Sequence, residues 1–429
     1  MTETIFRITA EQLHNLGSQL AAKANGQVPI AACGSGRAQF DDTLTRESWT
    51  FSEILAWTNN SEIVSFEFKA DRKYCVVSNN MDLISTVARK IPNCLWVYTE
   101  ENRVQAYRYD GILKPVDISL VVGHDLYYTF ADKSTNIVEG ERHERTCQAF
   151  GRGTTEYLSK LTVGVAGASG TGSIVAEQLY RLGVKRLVLV DDDCIEERNL
   201  GRILNSSVYD AKNQERKVDM LKAAFDSYGL GTEVYAAPTV IAVPETVRML
   251  SQCDLIFGCL DSADGRMHLN RISTFYTIPY IDMGVKLKSD NGIISEISCS
   301  VRYIKPGGAS LFSLGVYSSE QLASEALRRD DPSAYRARLE EKYIQGAHES
   351  SPAVISVNMT VASMAVMEFL NRIHQYRDTP NNEVEVLSQN LLEPSILAPE
   401  PPAPADISLL KYLGKGDRTP MLDMPRIGS

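Results

Sequence analysis

Residues 161–173 read LTVGVAGASGTGS, an apolar run that stops at Gly167 and passes through small residues into a helical pattern near Thr171. Glycines at 167, 170 and 172 let the backbone approach a ligand closely, and they present amide hydrogens at the positive end of a helix. Phosphate is the natural guest of such a loop. The loop alone does not decide the matter, because the strict dinucleotide pattern expects glycine where Ser169 stands and glycine-rich turns also arise for packing alone.

Residues downstream of the loop narrow the reading. The next strand ends LVLVDDD, placing Asp191 about twenty residues beyond the loop, where a carboxylate accepts hydrogen bonds from a ribose. A hydride-transferring dehydrogenase satisfies both features. The following loop, EERNLGR, then brings Asn199 and Arg202, and Lys217 starts a helix. Two further cations suit a triphosphate better than a dinucleotide whose phosphates the loop amides already hold. The strand DLIFGC delivers Asp261 at its carboxyl end, the edge where parallel sheets bind ligands. Taken singly, Arg202 and Lys217 read as solvated cations and Asp261 as a cap for the helix near Ala263; the joint pattern argues for a site.

Working outward, strand-like runs at Leu161–Val165, Arg186–Val190, Thr232–Ala236, Asp254–Phe257 and Pro279–Asp282 alternate with helical segments. That alternation predicts βαβ units and a mainly parallel, Rossmann-like α/β sheet. An extended run at Ile293–Tyr303 precedes a polar helical insertion, Ser318–Tyr343, within a larger insertion at about 305–350. Ser351-Pro352 supplies a start signal for a long apolar helix through about Ile373. Residues 392–406, LEPSILAPEPPAPAD, hold five prolines and predict an extended strap, with a short tail after it. Residues 1–140 read as a small α+β domain with a helix near Glu11–Lys23 and extended runs at Ile63–Phe68, Leu95–Tyr98 and Ile118–Val122. Its histidines, His14 and His124, are scattered, as is His143, and carry no motif. The expected organisation is thus 1–140, 141–380 and 381–429.

Composition removes several classes. At 429 residues, 44% hydrophobic and 23% charged, the chain is globular and larger than one ordinary core. Lys and Arg number 44 against 54 Asp and Glu, a net charge of −10 that disfavours nucleic acid. The start, MTETIFRIT, lacks a secretory pattern, so a cytoplasmic location with eight reduced cysteines is expected. No cysteine pair has zinc-knuckle spacing. The stretch Ala353–Leu370 is too interrupted by polar residues, Asn358 among them, to span a membrane.

The series GASGTGS, LVDDDCIEERNLGR, RKVDMLKAAF and FGCLDSADGR resembles the ThiF/MoeB/HesA family, whose fold is shared with ubiquitin-activating enzymes. The likeness covers about residues 140–375. It implies an enzyme, an adenylyltransferase that binds ATP and Mg2+, activates the C-terminal carboxylate of a small ubiquitin-like or sulfur-carrier protein ending in glycine, and works as a homodimer. It further implies that Gly167, Ser169, Gly170 and Gly172 cradle the nucleotide and that Asp191 holds the ribose with Asp193 nearby. Asn199 and Arg202 contact phosphates, Lys217 bridges them, and Asp261 helps place the metal, with Arg266 matching an arginine found in many members. The segment RTCQAFGRGTTEYL resembles the family's entrance, which makes Arg145 the arginine that reaches an active site, often a dimer mate's.

Three departures mark the chain. Where many bacterial relatives carry a first Cys-x-x-Cys pair, Ser310 and Ser313 stand, and the tail leading into GKGDRTP holds no cysteine, so no zinc is expected. True ubiquitin-activating enzymes pass the acyl group to a cysteine, and in the crossover stretch only Cys299 is available for a thioester; its strand-like context, ISEISCSVRYI, favours a small buried hydrophobe. Residues 102–130 loosely resemble the end of JAB-type domains, without the His-x-His-Pro signature of active peptidases, which implies at most an inactive, partner-docking copy. The leading expectation is a bacterial ubiquitin-like modification pathway, with a conjugating-type enzyme as a further partner. The alternatives are adenylation of a peptide or modified tRNA base, an NAD-dependent dehydrogenase, and a non-catalytic activating scaffold.

Overall fold

In the computed structural model the described residues are 2–23, 27–42, 44–59, 62–91, 94–132, 141–340, 354–393 and 398–427. They form two sheets. In the second, Glu233–Ala237, Arg186–Val190, Thr162–Ala166, Leu255–Gly258 and Tyr280–Asp290 lie side by side in that order, all parallel. Ile293–Ile304, Val386–Asn390 and Ala398–Glu400 then extend it antiparallel. Chain order reverses between Thr162–Ala166 and Leu255–Gly258, so a crevice opens at their carboxyl ends, where doubly wound sheets bind ligands. The parallel core strands are continuously buried, as strands covered on both faces must be. The α/β, mainly parallel architecture expected from the alternating pattern is borne out.

The first sheet has nine strands, among them Thr2–Thr9 lying between Thr45–Thr58 and Ile118–Val122. It shares its core with the second sheet: Ile5, Leu120, Leu126 and Tyr128 belong to the same apolar cluster as Val163, Leu187, Leu255 and Phe369.

Three expectations need correction or placing. Ile63–Phe68 is not extended: Ile63–Ser65 is a 3-10 turn, because the Asn59 carboxamide oxygen accepts from the Glu62 amide and starts a local turn. The proline-rich segment is not a free strap throughout, since Ala398–Glu400 pairs with Val386–Ser388 as an edge strand, the position where a proline costs least. The insertion holds two helices, Ser319–Asp330 and Pro332–Glu340, and the helix Ile355–Ile373 comes next; Ser351-Pro352 and the end of the insertion lie outside the described residues. Among the described residues no helix is long and apolar enough to cross a membrane.

The C-terminal tail is stitched down. Ser310 and Ser313 exchange hydrogen bonds, the Ser310 amide donating to the Ser313 hydroxyl and the Ser313 amide to the Ser310 hydroxyl. The Ser310 hydroxyl donates at 2.6 Å to Asp406. Farther on, the Gly416 amide donates to Phe275 and the Asp417 amide to Ser35, joining both sheets' elements.

Candidate nucleotide site

The glycine loop leaves Thr162–Ala166 and enters the helix Gly170–Leu182. Gly167 has φ +93° and a side chain there would run into the Cys259 carbonyl; one at Gly172 would overlap the Gly167 carbonyl. Both glycines are therefore required by close packing of loop on helix and on the Asp261 strand, whatever binds there. Ser169 precedes the helix without capping it through its side chain. That leaves first-turn amides with no side-chain acceptor at the positive end of the helix.

Asp191 stands beside the loop. Its carboxylate accepts from the amides of Ala168, at 2.7 Å, and Asp193, at 2.9 Å. Burial raises its carboxyl above the ordinary range against the opposing pull of Lys217 and these two amides. Lys217, at the start of Lys217–Tyr228, is buried, with its ammonium 2.6 Å from Asp193 and 3.7 Å from Asp191. Side-chain oxygens of Asp191, Asp192 and Asp193 lie within 4.8 Å of one another. Asn199 is buried and its carboxamide oxygen accepts from the Glu196 amide, while its amino group has no partner among the described residues. Arg202, on the same loop, is half-buried and donates to the Arg198 carbonyl at 3.1 Å.

Asp261 follows Leu255–Gly258 at the same edge. It does not cap the next helix: the Ser262 hydroxyl accepts from the Gly265 amide and does so. Asp261 is exposed and, among the described residues, makes no hydrogen bond or ion pair, although its charge reaches Arg266. Asp191, Arg202, Lys217 and Asp261 thus belong to one edge of one sheet. Arg145 lies on Glu144–Leu158, exposed and, among the described residues, hydrogen-bonded to Gln148 of the same element rather than to any group of the glycine-loop edge. Cys299 is a core side chain 1% exposed, its thiol pushed up to about 11 by burial, the state of an inert cysteine.

Sequence reading missed three groups here. Asp282, fully buried and in register with Gly258, accepts from the Tyr280 hydroxyl at 2.9 Å, Arg266 at 3.1 Å and Arg302 at 3.2 Å. The two arginines border a cavity of about 650 Å³ that Gly284, Ser300 and Ser388 also line. Glu325, from the insertion, accepts from the amides of Ala263 and Asp264 next to Asp261. Asn358, on the long helix, meets the glycine loop at Gly170. Alternation along Ile293–Ile304 could have placed Arg302 opposite the core face, but no local pattern announces Glu325 or Asn358.

The profile of the ThiF family matches residues 141–405. The chain belongs to the ThiF family. Ubiquitin-like modifier-activating enzyme 5 of Drosophila willistoni is 25% identical over 186 residues, covering 41% of this chain and 44% of that protein. tRNA threonylcarbamoyladenosine dehydratase of Bacillus subtilis (strain 168) is 32% identical over 145 residues, 33% of this chain and 56% of that protein. Among solved structures, E. coli MccB with MccA-N7isoASN is similar at a TM-score of 0.48 and 16% identity, over 63% of this chain and 74% of that one. This ThiF-family chain therefore spans about half the length of the curated relatives it matches.

Proposed function

We propose that this chain is an ATP-dependent adenylyltransferase that activates the C-terminal carboxylate of a small ubiquitin-like or sulfur-carrier protein ending in glycine, in the cytoplasm, within a bacterial ubiquitin-like modification pathway. We take 1–140 as a supporting and partner-docking segment, 141–380 as the adenylating segment, and 381–429 as the strap that joins them. One observation carries the reading: charged groups of both signs stand at the carboxyl edge with their bonding capacity partly unspent, beside a helix N-terminus with no side-chain cap.

The reaction needs no covalent nucleophile from the protein. A carboxylate oxygen of the carrier bonds to the α-phosphorus of ATP, the bond from that phosphorus to the bridging oxygen breaks, and pyrophosphate leaves. The protein aligns the partners and offsets negative charge as it moves onto the leaving group. In this reading Gly167, Ser169, Gly170 and Gly172 receive phosphate at the helix start, Asp191 orients the ribose, and Lys217 and Arg202 meet the phosphates. One well-placed arginine at a phosphoryl-transfer site is worth about 10³ to 10⁵ in rate. The exposed carboxylate of Asp261, without an ion pair among the described residues, fits a hard divalent cation. Magnesium held there would neutralise phosphate charge.

A second copy of the chain completes the reading. Among the described residues Arg145 is engaged by Gln148 of its own element, and the exposed Met359, Met367 and Tyr376 on neighbouring elements support an interface between copies. Cys299 is left out of the chemistry. The Ser310, Ser313 and Asp406 contacts support a tail held without zinc.

The test begins with thermal unfolding in magnesium-ATP and, separately, in NAD. Stabilisation by magnesium-ATP that is lost in Arg202→Ala is expected. Stabilisation by NAD alone would transfer the chain to dehydrogenase chemistry, and unchanged ATP binding in Arg202→Ala would remove Arg202 from the site.

A further inference from the structure

The helix Ile355–Ile373 is buried along most of its length; its buried polar residues near the far end, Glu368, Asn371 and Arg372, are tied into hydrogen bonds, and Asn358 near its start is different. Asn358 is only 5% exposed, and among the described residues no hydrogen bond engages its carboxamide. The Asn358 amide is not among the sealed-off, unpartnered polar atoms, so it keeps a narrow opening to solvent and its N–H groups remain available to a ligand. Its place shows what it faces. The amino nitrogen of Asn358 lies 2.3 Å from where a side-chain carbon on Gly170 would sit, and the Arg202 stem lies 3.3 Å from the same point. Gly170 opens the helix Gly170–Leu182, so Asn358 and Arg202 both abut the first residue of that helix, whose start lacks a side-chain cap. Three kinds of donor meet there: backbone amides, a guanidinium and a free carboxamide.

We infer that Asn358 is a phosphate-binding residue, donating its side-chain N–H to an oxygen of the nucleotide's phosphate chain together with the Gly170–Gly172 amides and Arg202. The inference rests on the nucleotide reading above and adds to it a donor from the far end of the chain. The chemistry suits the residue type: a neutral amide with two N–H groups serves an anion, whereas aspartate of the same shape repels it. A hydrogen bond to a charged acceptor is among the stronger kinds, so its removal reads out clearly in affinity.

The experiment is calorimetric titration of the full chain with magnesium-ATP, ADP, AMP and adenosine, for the unaltered protein and for Asn358→Ser, Asn358→Ala and Asn358→Asp. Thermal unfolding of each variant without nucleotide serves as the fold control. Asn358→Ser and Asn358→Ala are expected to weaken ATP about tenfold or more, and Asn358→Asp about a hundredfold or more, with adenosine affinity within twofold of the unaltered protein. Whether AMP follows ATP tells which phosphate the amide meets. The inference fails if Asn358→Ala binds ATP as tightly as the unaltered protein, or if ATP and adenosine weaken by the same factor, the mark of a packing role. Should the unaltered protein ignore every nucleotide, the adenylation reading and this inference fall together; should it bind ATP with no dependence on residue 358, only this inference falls.

Discussion

The two ends of the parallel strands make opposite use of the same residue types. At the amino ends, Arg46 donates to the Gln252 carbonyl and both oxygens of Asp254, while Asp254 also accepts from the Thr162 amide. Arg7 donates to the carbonyls of Ser251, Cys253 and Tyr276, and Glu3 meets Arg46, Arg186 and Lys185. Arg7, Arg46 and Asp254 are fully buried, and this cluster ties the first sheet to the second. At the carboxyl ends Arg202 has one carbonyl partner, and Asp261 and Asn358 have none among the described residues. Charges engaged on nearly every side hold elements together; charges left with spare capacity await something else. Composition cannot separate the two cases, and geometry does.

The largest effect expected from this contrast is at the closed end. Arg46→Ala leaves the Asp254 carboxylate buried without its main counter-charge, a lesion of about 3 to 5 kcal/mol. Urea unfolding at neutral pH should show a loss of that size, or no folded protein at all, with the first sheet failing along with the second because they share a core. Loss below about 1 kcal/mol would mean that the clasp is incidental.

Acid probes the same end more gently. Burial drives the Glu3 carboxyl up, but Arg46, Arg186 and Lys185 outweigh it and bring the group from 4.5 down to about 2. A carboxyl whose folded value is depressed stabilises the fold above its unfolded value. That stabilisation, on the order of 3 kcal/mol, is lost as pH falls from about 4.5 through about 2. In Glu3→Gln the stability-against-pH curve should flatten across that window, and a curve parallel to the unaltered protein's would place the acid sensitivity elsewhere.

The contrast also explains what was legible in the sequence. Strand alternation and the spacing from Gly167 to Asp191 report period and turn chemistry, which are local, and so the doubly wound half and the residues gathered at its carboxyl edge could be read. The residues Arg7, Arg46 and Asp254 could not, because each looks like an ordinary charge until the fold buries it. Asn358 was visible only as a polar interruption of an apolar helix, since its meaning depends on a contact with Gly170 nearly two hundred residues earlier. Ile63–Phe68 was misread because its apolar and aromatic residues, which pack Phe66 and Phe68 against Tyr74, satisfy a strand pattern as well as a cluster beside a turn. The edge pairing of Ala398–Glu400 runs against the expectation from proline and needs the neighbouring strand to be known.

The smallest stability change should come from the open end, at Asp191. Its carboxyl is raised, so the folded protein holds the proton more tightly than the unfolded chain, and stability declines as pH climbs through the interval between the two values. At neutral pH the ionised group therefore carries a burial cost. Asp191→Asn removes that cost but surrenders one of the two acceptors that hold the Ala168 and Asp193 amides, and leaves Lys217 with Asp193 as its partner. The two effects oppose, and urea unfolding should find the variant within about 1 kcal/mol of the unaltered protein. Binding should not be spared: an amide that turns its N–H toward a ribose hydroxyl offers a poorer acceptor, and stabilisation by magnesium-ATP should largely disappear. A variant that unfolds readily yet still binds ATP would reverse the assignment of the two ends, making Asp191 a strut and leaving the nucleotide to other residues.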